Sequence, residues 1–189
     1  MPLLPFPETL ITAQGDGTAL TAAARNSALP TGALYPLPPN FFDVPGKQIM
    51  VEAWGRISCV VTTPGTARFD VNFLDSAAAN VIVADSLAMN LNIVAKVNVN
   101  WYLKMVMTCR SIGTTATLHW QGLWASEAVI ASPLPTVGGS GQFTLPYNTA
   151  PVVSPTFNST LGQQVDLRFT QTLATGSLTL HQYSLIRLN

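Results

Sequence analysis

Two histidines, His119 and His181, and two cysteines, Cys59 and Cys109, are the residues of this sequence best equipped for metal binding or nucleophilic chemistry. A histidine pair beside a carboxylate can hold a metal ion or act as a general base. Neither histidine, however, lies in an H-E-x-x-H or H-x-H arrangement, and each falls within a predicted strand. The cysteines are too few for a zinc site of their own and too far apart for a Cys-x-x-Cys redox pair. Both fall on the apolar side of predicted strands, where reduced thiols serve as small hydrophobes. Gly138-Gly139-Ser140-Gly141 is not a G-x-S-x-G elbow, because Gln142 follows, and it lacks the Gly-Lys-Ser/Thr ending of a phosphate loop. Asp70 and Asp75 flank one strand with opposite parity, which sends them to different faces, whereas acid and base groups must converge. The residues therefore point away from an enzyme, and imply no metal and no cofactor.

Aromatic residues could instead bind a ligand. Trp101, Trp120 and Trp124 share parity with apolar neighbours and read as core. Trp54 differs, because it stands on the polar side of its strand between Glu52 and Arg56 and reads as an interface or ligand-facing residue.

The elements that must position these residues are strands. Ile49 to Val61 alternates, with Ile49, Val51, Ala53, Ile57, Cys59 and Val61 opposite Glu52, Trp54, Arg56 and Ser58. Ala67 to Leu74 sets Phe69, Val71 and Phe73 against Arg68, Asp70 and Asn72, across the turn Thr62-Thr63-Pro64-Gly65. Val97, Val99, Trp101, Leu103, Met105 and Met107 line one face of the longest run. Ala116 to Ala125, Gln142 to Leu145, Gln164 to Thr172 and Ser177 to Leu188 follow, and Thr9 to Thr12, Thr18 to Ala24 and Asn80 to Asp85 are shorter strands. Leu87 to Val94 reads as a strand or a brief helical turn. Proline density makes Met1 to Pro7 and Leu29 to Pro45 extended arms or loops, and residues 131–155 are loop-rich. Eight or nine strands without a long helix predict an all-β protein: a two-sheet antiparallel sandwich over residues 8–189, jelly-roll-like, with an N-terminal arm over 1–7.

Composition narrows the function. Of 189 residues 48% are hydrophobic and 10% are charged, nine cations against nine carboxylates, where an ordinary domain has about 25% charged residues. Scattered basic residues argue against nucleic-acid binding. Apolar windows interrupted by Glu52, Arg56 and Lys104 fall short of the roughly 20 residues that span a membrane. The start of the chain lacks the pattern of a secretory signal, which points to folding in a cytoplasm.

The run Leu37-Pro38-Pro39-Asn40-Phe41-Phe42-Asp43-Val44-Pro45-Gly46-Lys47, followed by Gly55-Arg56-Ile57-Ser58, resembles virion proteins of tailed bacteriophages. Thr108-Cys109-Arg110-Ser111, Trp124 to Val129, Pro133-Leu134-Pro135, Gln164 to Leu167 and Leu180 to Leu185 are similar to the same group, so the resemblance covers most of residues 37–189. It implies a structural protein of the particle, of the jelly-roll capsid decoration or cement type. Such a protein binds the major capsid protein on the outside of the shell, as a homotrimer, after assembly in the host cytoplasm. Leu3, Leu4 and Phe6 are then the expected anchors of an arm laid across a neighbour. Tyr35, Trp54 and Tyr147 are the expected contacts of the same surface, or of a tail or neck module that binds a host receptor or glycan.

Overall fold

The computed structural model describes residues 6–60, 64–130 and 141–189. Thirteen strands are present among them: β1 (Glu8–Gln14), β2 (Arg25–Ser27), β3 (Tyr35–Leu37), β4 (Gln48–Cys59), β5 (Thr66–Asp75), β6 (Asn80–Asp85), β7 (Met89–Leu91), β8 (Lys96–Ser111), β9 (Thr117–Ser126), β10 (Val129–Ile130), β11 (Gly141–Leu145), β12 (Gln163–Gln171) and β13 (Ser177–Arg187). A single 3-10 turn at Thr31–Ala33 is the one helical element among the described residues. The strands form two antiparallel sheets, one of six strands in the order β1-β13-β4-β8-β9-β11 and one of seven built on β10-β7-β5-β12-β2. In the second sheet β3 joins β2 on the free side of β12, and β6 joins β7 on the free side of β5. The all-β sandwich expected from the alternation is thus the fold.

Alternation explains how the sheets meet. Ile49, Val51, Ala53 and Ile57 of β4 and Trp101, Leu103, Met105 and Met107 of β8 are buried on one inner face. Phe69, Val71 and Phe73 of β5 and Val165, Leu167 and Phe169 of β12 oppose them from the other. Phe69 is the hub, with ring centroids 5.0 Å from Trp101, 4.9 Å from Trp124 and 5.1 Å from Phe169. Phe42, from the proline-rich segment, is buried against Phe73 and Phe157 and so stops one end of the sandwich. Cys59 and Cys109 are free and buried, and burial pushes both thiols up from their ordinary value.

Two expectations from the sequence, for residues 18–24 and for Val97, are corrected, two others are made more definite, and Val61 lies outside the described residues. Thr18 to Ala24 is not a strand: only Leu20 is bridged, to Leu178, and the chain is crossing from one sheet to the other before β2 begins. Leu87 to Val94 resolves as the short strand β7 with no helical turn. Val97 does not face the core but is 74% exposed, because Asn98 adopts a left-handed φ of 53° and β4 and β8 slip register between Ile57 and Cys59. The polar face of β5 is covered as well: Asp70 and Asn72 are both 0% exposed. Arg25 reaches over from β2, donating through Nε at 2.9 Å and Nη2 at 2.5 Å to the Asp70 carboxylate and through Nη2 at 3.1 Å to Asn72 Oδ1. The Asp70 hydrogen bond is the main reason the Arg25 guanidinium is held charged even more firmly than usual, against the opposing effect of its own partial burial.

Candidate functional site

The outer face of the six-stranded sheet carries a continuous row of side chains. Register places Gln14 of β1 opposite Gln182 of β13, Gln182 opposite Trp54 of β4, Trp54 opposite Tyr102 of β8, Tyr102 opposite Ala125 of β9, and Ala125 opposite Gln142 of β11. All six strands therefore contribute one residue to a single line. With neighbouring strands roughly 4.8 Å apart, the five steps of that line extend about 24 Å. The line forms the floor of a trough of about 1080 Å³, with Asn98 and Asn100 beside it.

Trp54 and Tyr102 form the centre, with ring centroids 5.1 Å apart and planes inclined by 32°. The Tyr102 hydroxyl donates to Glu52 Oε1 at 3.0 Å, which fixes its ring. Burial first, and Glu52 second, push the Tyr102 phenol up to about 12, so it remains a neutral donor across the ordinary pH range. Glu52 is also 3.7 Å from Lys104 Nζ in the adjacent row. Beneath the aromatic pair, Trp101 points inward and its Nε1 donates to the Arg56 carbonyl at 3.2 Å.

Gly55 leaves the room that Trp101 occupies beneath the pair. A Cβ at this position would lie 2.0 Å from the Thr179 carbonyl oxygen and 2.8 Å from Trp101 Nε1. Gly55→Ala should therefore force strands β4 and β13 apart and lower the unfolding free energy by about 2 to 3 kcal/mol, the upper range for overpacking. Urea denaturation monitored by far-ultraviolet circular dichroism measures it, and a loss below about 0.5 kcal/mol would show that the sheet absorbs the methyl group without strain.

The expected contact residues are dispersed. Leu3 and Leu4 lie outside the described residues, whereas Phe6 is 79% exposed just before edge strand β1. Tyr35 is half-buried on β3, at the edge of the other sheet, and packs on the core. Tyr147 also packs on the core, its ring 5.3 Å from Phe143. Of the expected contacts among the described residues, only Trp54 lies in the trough. Tyr102 was legible in the same way as Trp54, since it stands on the polar side of β8. The line through six strands was not, because it depends on register between strands far apart in sequence.

The histidines stand on separate strands. His119 is exposed on β9, while His181 Nδ1 is 2.7 Å from Asp16 Oδ1 at the β13 bulge. Among the described residues no three His, Cys, Asp or Glu side chains come together as metal ligands would.

Fold and site together define a β-sandwich protein with an aromatic and amide-lined trough on one sheet. No family model matches the chain, and no curated protein matches it. Among solved structures it is similar to the CBM2 module of the evolved Dit of Lactobacillus casei BL23 phage J-1, at 10% identity and a TM-score of 0.27, over 82% of this chain and 67% of that one. The two share too little geometry for residues to be matched between them.

Proposed function

We propose that this chain is a structural protein of a tailed-phage virion, a capsid decoration protein that binds the outer surface of the major capsid shell as a homotrimer and stabilises it. The observation that carries this reading is the state of its charges. Seven of the nine cations lie in ion pairs within the chain, to Asp70, Asp43, Asp85, Glu127, Glu52, Asp166 and Glu8. Asp16 meets His181, and Asp75 caps a turn by accepting from the Ala77 and Ala79 amides. Among the described residues only Arg56 and Arg110 are cations outside such a pair.

A surface with so little free charge suits lasting contact through area, shape and hydrogen bonding, since charged groups are disfavoured at the buried centre of an interface. The resemblance of residues 37–189 to tailed-phage virion proteins supports the same class. The exposed Phe6 beside edge strand β1 supports an arm that reaches a neighbour.

Quantifying the protein in purified particles tests the assignment. A capsid decoration protein is expected on the order of hundreds of copies per particle, as symmetry-related shell sites require. A few to a few tens of copies would overturn it in favour of a tail or neck position. Removing residues 1–7 is expected to lower both occupancy and the heat resistance of particles. Unchanged values would remove the arm from the mechanism.

A further inference from the structure

The geometry points to a binding site for a neutral oligosaccharide in the trough of the six-stranded sheet, lying across the strands with sugar rings on Trp54 and Tyr102. This inference rests on the trough alone and holds wherever on a particle the protein sits.

Three observations carry it. The first is the chemistry of the lining. Gln14, Asn98, Asn100, Gln142 and Gln182 are all exposed, and their side-chain amides make no hydrogen bond to other described residues. Single exposed amides elsewhere, such as Asn40, Asn80 and Gln121, are free in the same way, so what distinguishes the trough is that five of them face one space. A primary amide offers two donors and an acceptor in one plane, and so meets a hydroxyl, which is itself donor and acceptor, from either side. Carboxylates only accept and ammonium groups only donate, so a wall of amides is the form of polarity that matches a polyol.

The second is the aromatic centre. The C–H bonds on one face of a pyranose ring carry slight positive charge, and the face of an aromatic ring carries negative charge. Trp54 and Tyr102 pack ring against ring in the middle of the row, with Gln182 next to Trp54 on one flank and Gln142 beyond Ala125 on the other. Tyr102 is fixed by its bond to Glu52, which reduces the ordering that binding would require.

The third is the absence of net charge. Glu127 and His181 are the ionisable groups on the rim, and each is already paired, with Lys96 and Asp16. Among the described residues no cation that lines the trough is left to neutralise a sulfate, a phosphate or a carboxylate, and the one unpaired cation beside it, Arg56, stands opposite Asn100 at its margin. A line of about 24 Å takes four or five sugar units of roughly 5 Å each.

Calorimetric titration of the full chain tests the proposal. The probes are neutral tetra- to hexasaccharides built on glucose, galactose, rhamnose and N-acetylglucosamine, with a heparin hexasaccharide and a galacturonate hexamer as anionic comparators. At least one neutral probe is expected to bind, and the anionic probes are not. Trp54→Ala should weaken that binding about tenfold or more, Trp54→Phe should keep most of it, and Gln182→Ala should weaken it about threefold. Gln121→Ala, on β9 outside the trough, should leave it unchanged. Melting temperatures of the variants separate loss of folding from loss of binding, and Trp54→Phe and Gln182→Ala serve if Trp54→Ala does not fold. No binding by any neutral probe, equal binding of anionic probes, or binding that Trp54→Ala leaves intact would overturn the proposal. So would a chain whose oligomer falls apart on Trp54→Ala, since the trough would then be a protein interface.

Discussion

Phe69→Ala should lower the unfolding free energy by about 4 kcal/mol, within the range for removing a buried phenylalanine. Phe69 is 0% exposed and is the ring on which Trp101, Trp124 and Phe169 converge, so it joins the two sheets at their centre. Truncation deletes its own burial and also strips three large neighbours of a packing partner. Because those neighbours are rigid rings on three different strands, the space cannot close by a rotamer change. For a chain of this length the loss corresponds to a fall of roughly 10 °C in melting temperature. Phe69→Leu, which retains most of the volume, should cost only about 1.5 kcal/mol. Paired thermal and urea denaturation curves measure both. A Phe69→Ala loss under about 1 kcal/mol would mean that the core refills the site and that Phe69 is not its hub.

Arg25→Ala should cost about 3 kcal/mol, the lower end for breaking a buried ion pair from one side. Its guanidinium supplies both hydrogen bonds that the Asp70 side chain makes among the described residues, and Asp70 is fully buried. Removing it strands a carboxylate beside Asn72, whose Nδ2 already lacks a partner. The Arg25 side chain is 28% exposed, so water can enter and soften the penalty. A double-mutant cycle separates the causes: Arg25→Ala with Asp70→Ala should be less destabilised than the two single losses summed, because the second change removes the stranded charge. Strict additivity would show that the pair contributes nothing as a pair.

These two residues also show what the sequence could and could not reveal. Phe69 was readable as core because alternation along β5 assigns it a side. The same alternation assigned Asp70 and Asn72 to the opposite side, correctly as to direction, but it gave no sign that Arg25, 45 residues away, would cover them. β2, which carries Arg25, has only three residues and no periodicity to detect. Val97 failed for a local reason, since one left-handed residue, Asn98, reverses the alternation that the flanking residues obey. The trough divides along the same line. Trp54 stood out as an aromatic on a polar face, while Gln14, Gln142 and Gln182 are ordinary surface amides until pairing aligns them. A strand pattern specifies which face a residue takes, and only the register specifies its neighbours across the sheet.

The pairing of nearly every charge within the chain has a consequence for ionic strength. Added salt weakens attraction between molecules by screening charges that face outward, and here Arg56 and Arg110 are the cations without a carboxylate partner among the described residues, while exposed groups such as Lys104 and Arg187 are each matched by a carboxylate beside them. Contacts made by this surface should therefore survive in concentrated sodium chloride, and excluded salts such as sulfate should tighten them by favouring burial. The protein meets its surroundings as a nearly uncharged solid would, holding on by fit in brines that would loosen a conventional charged interface.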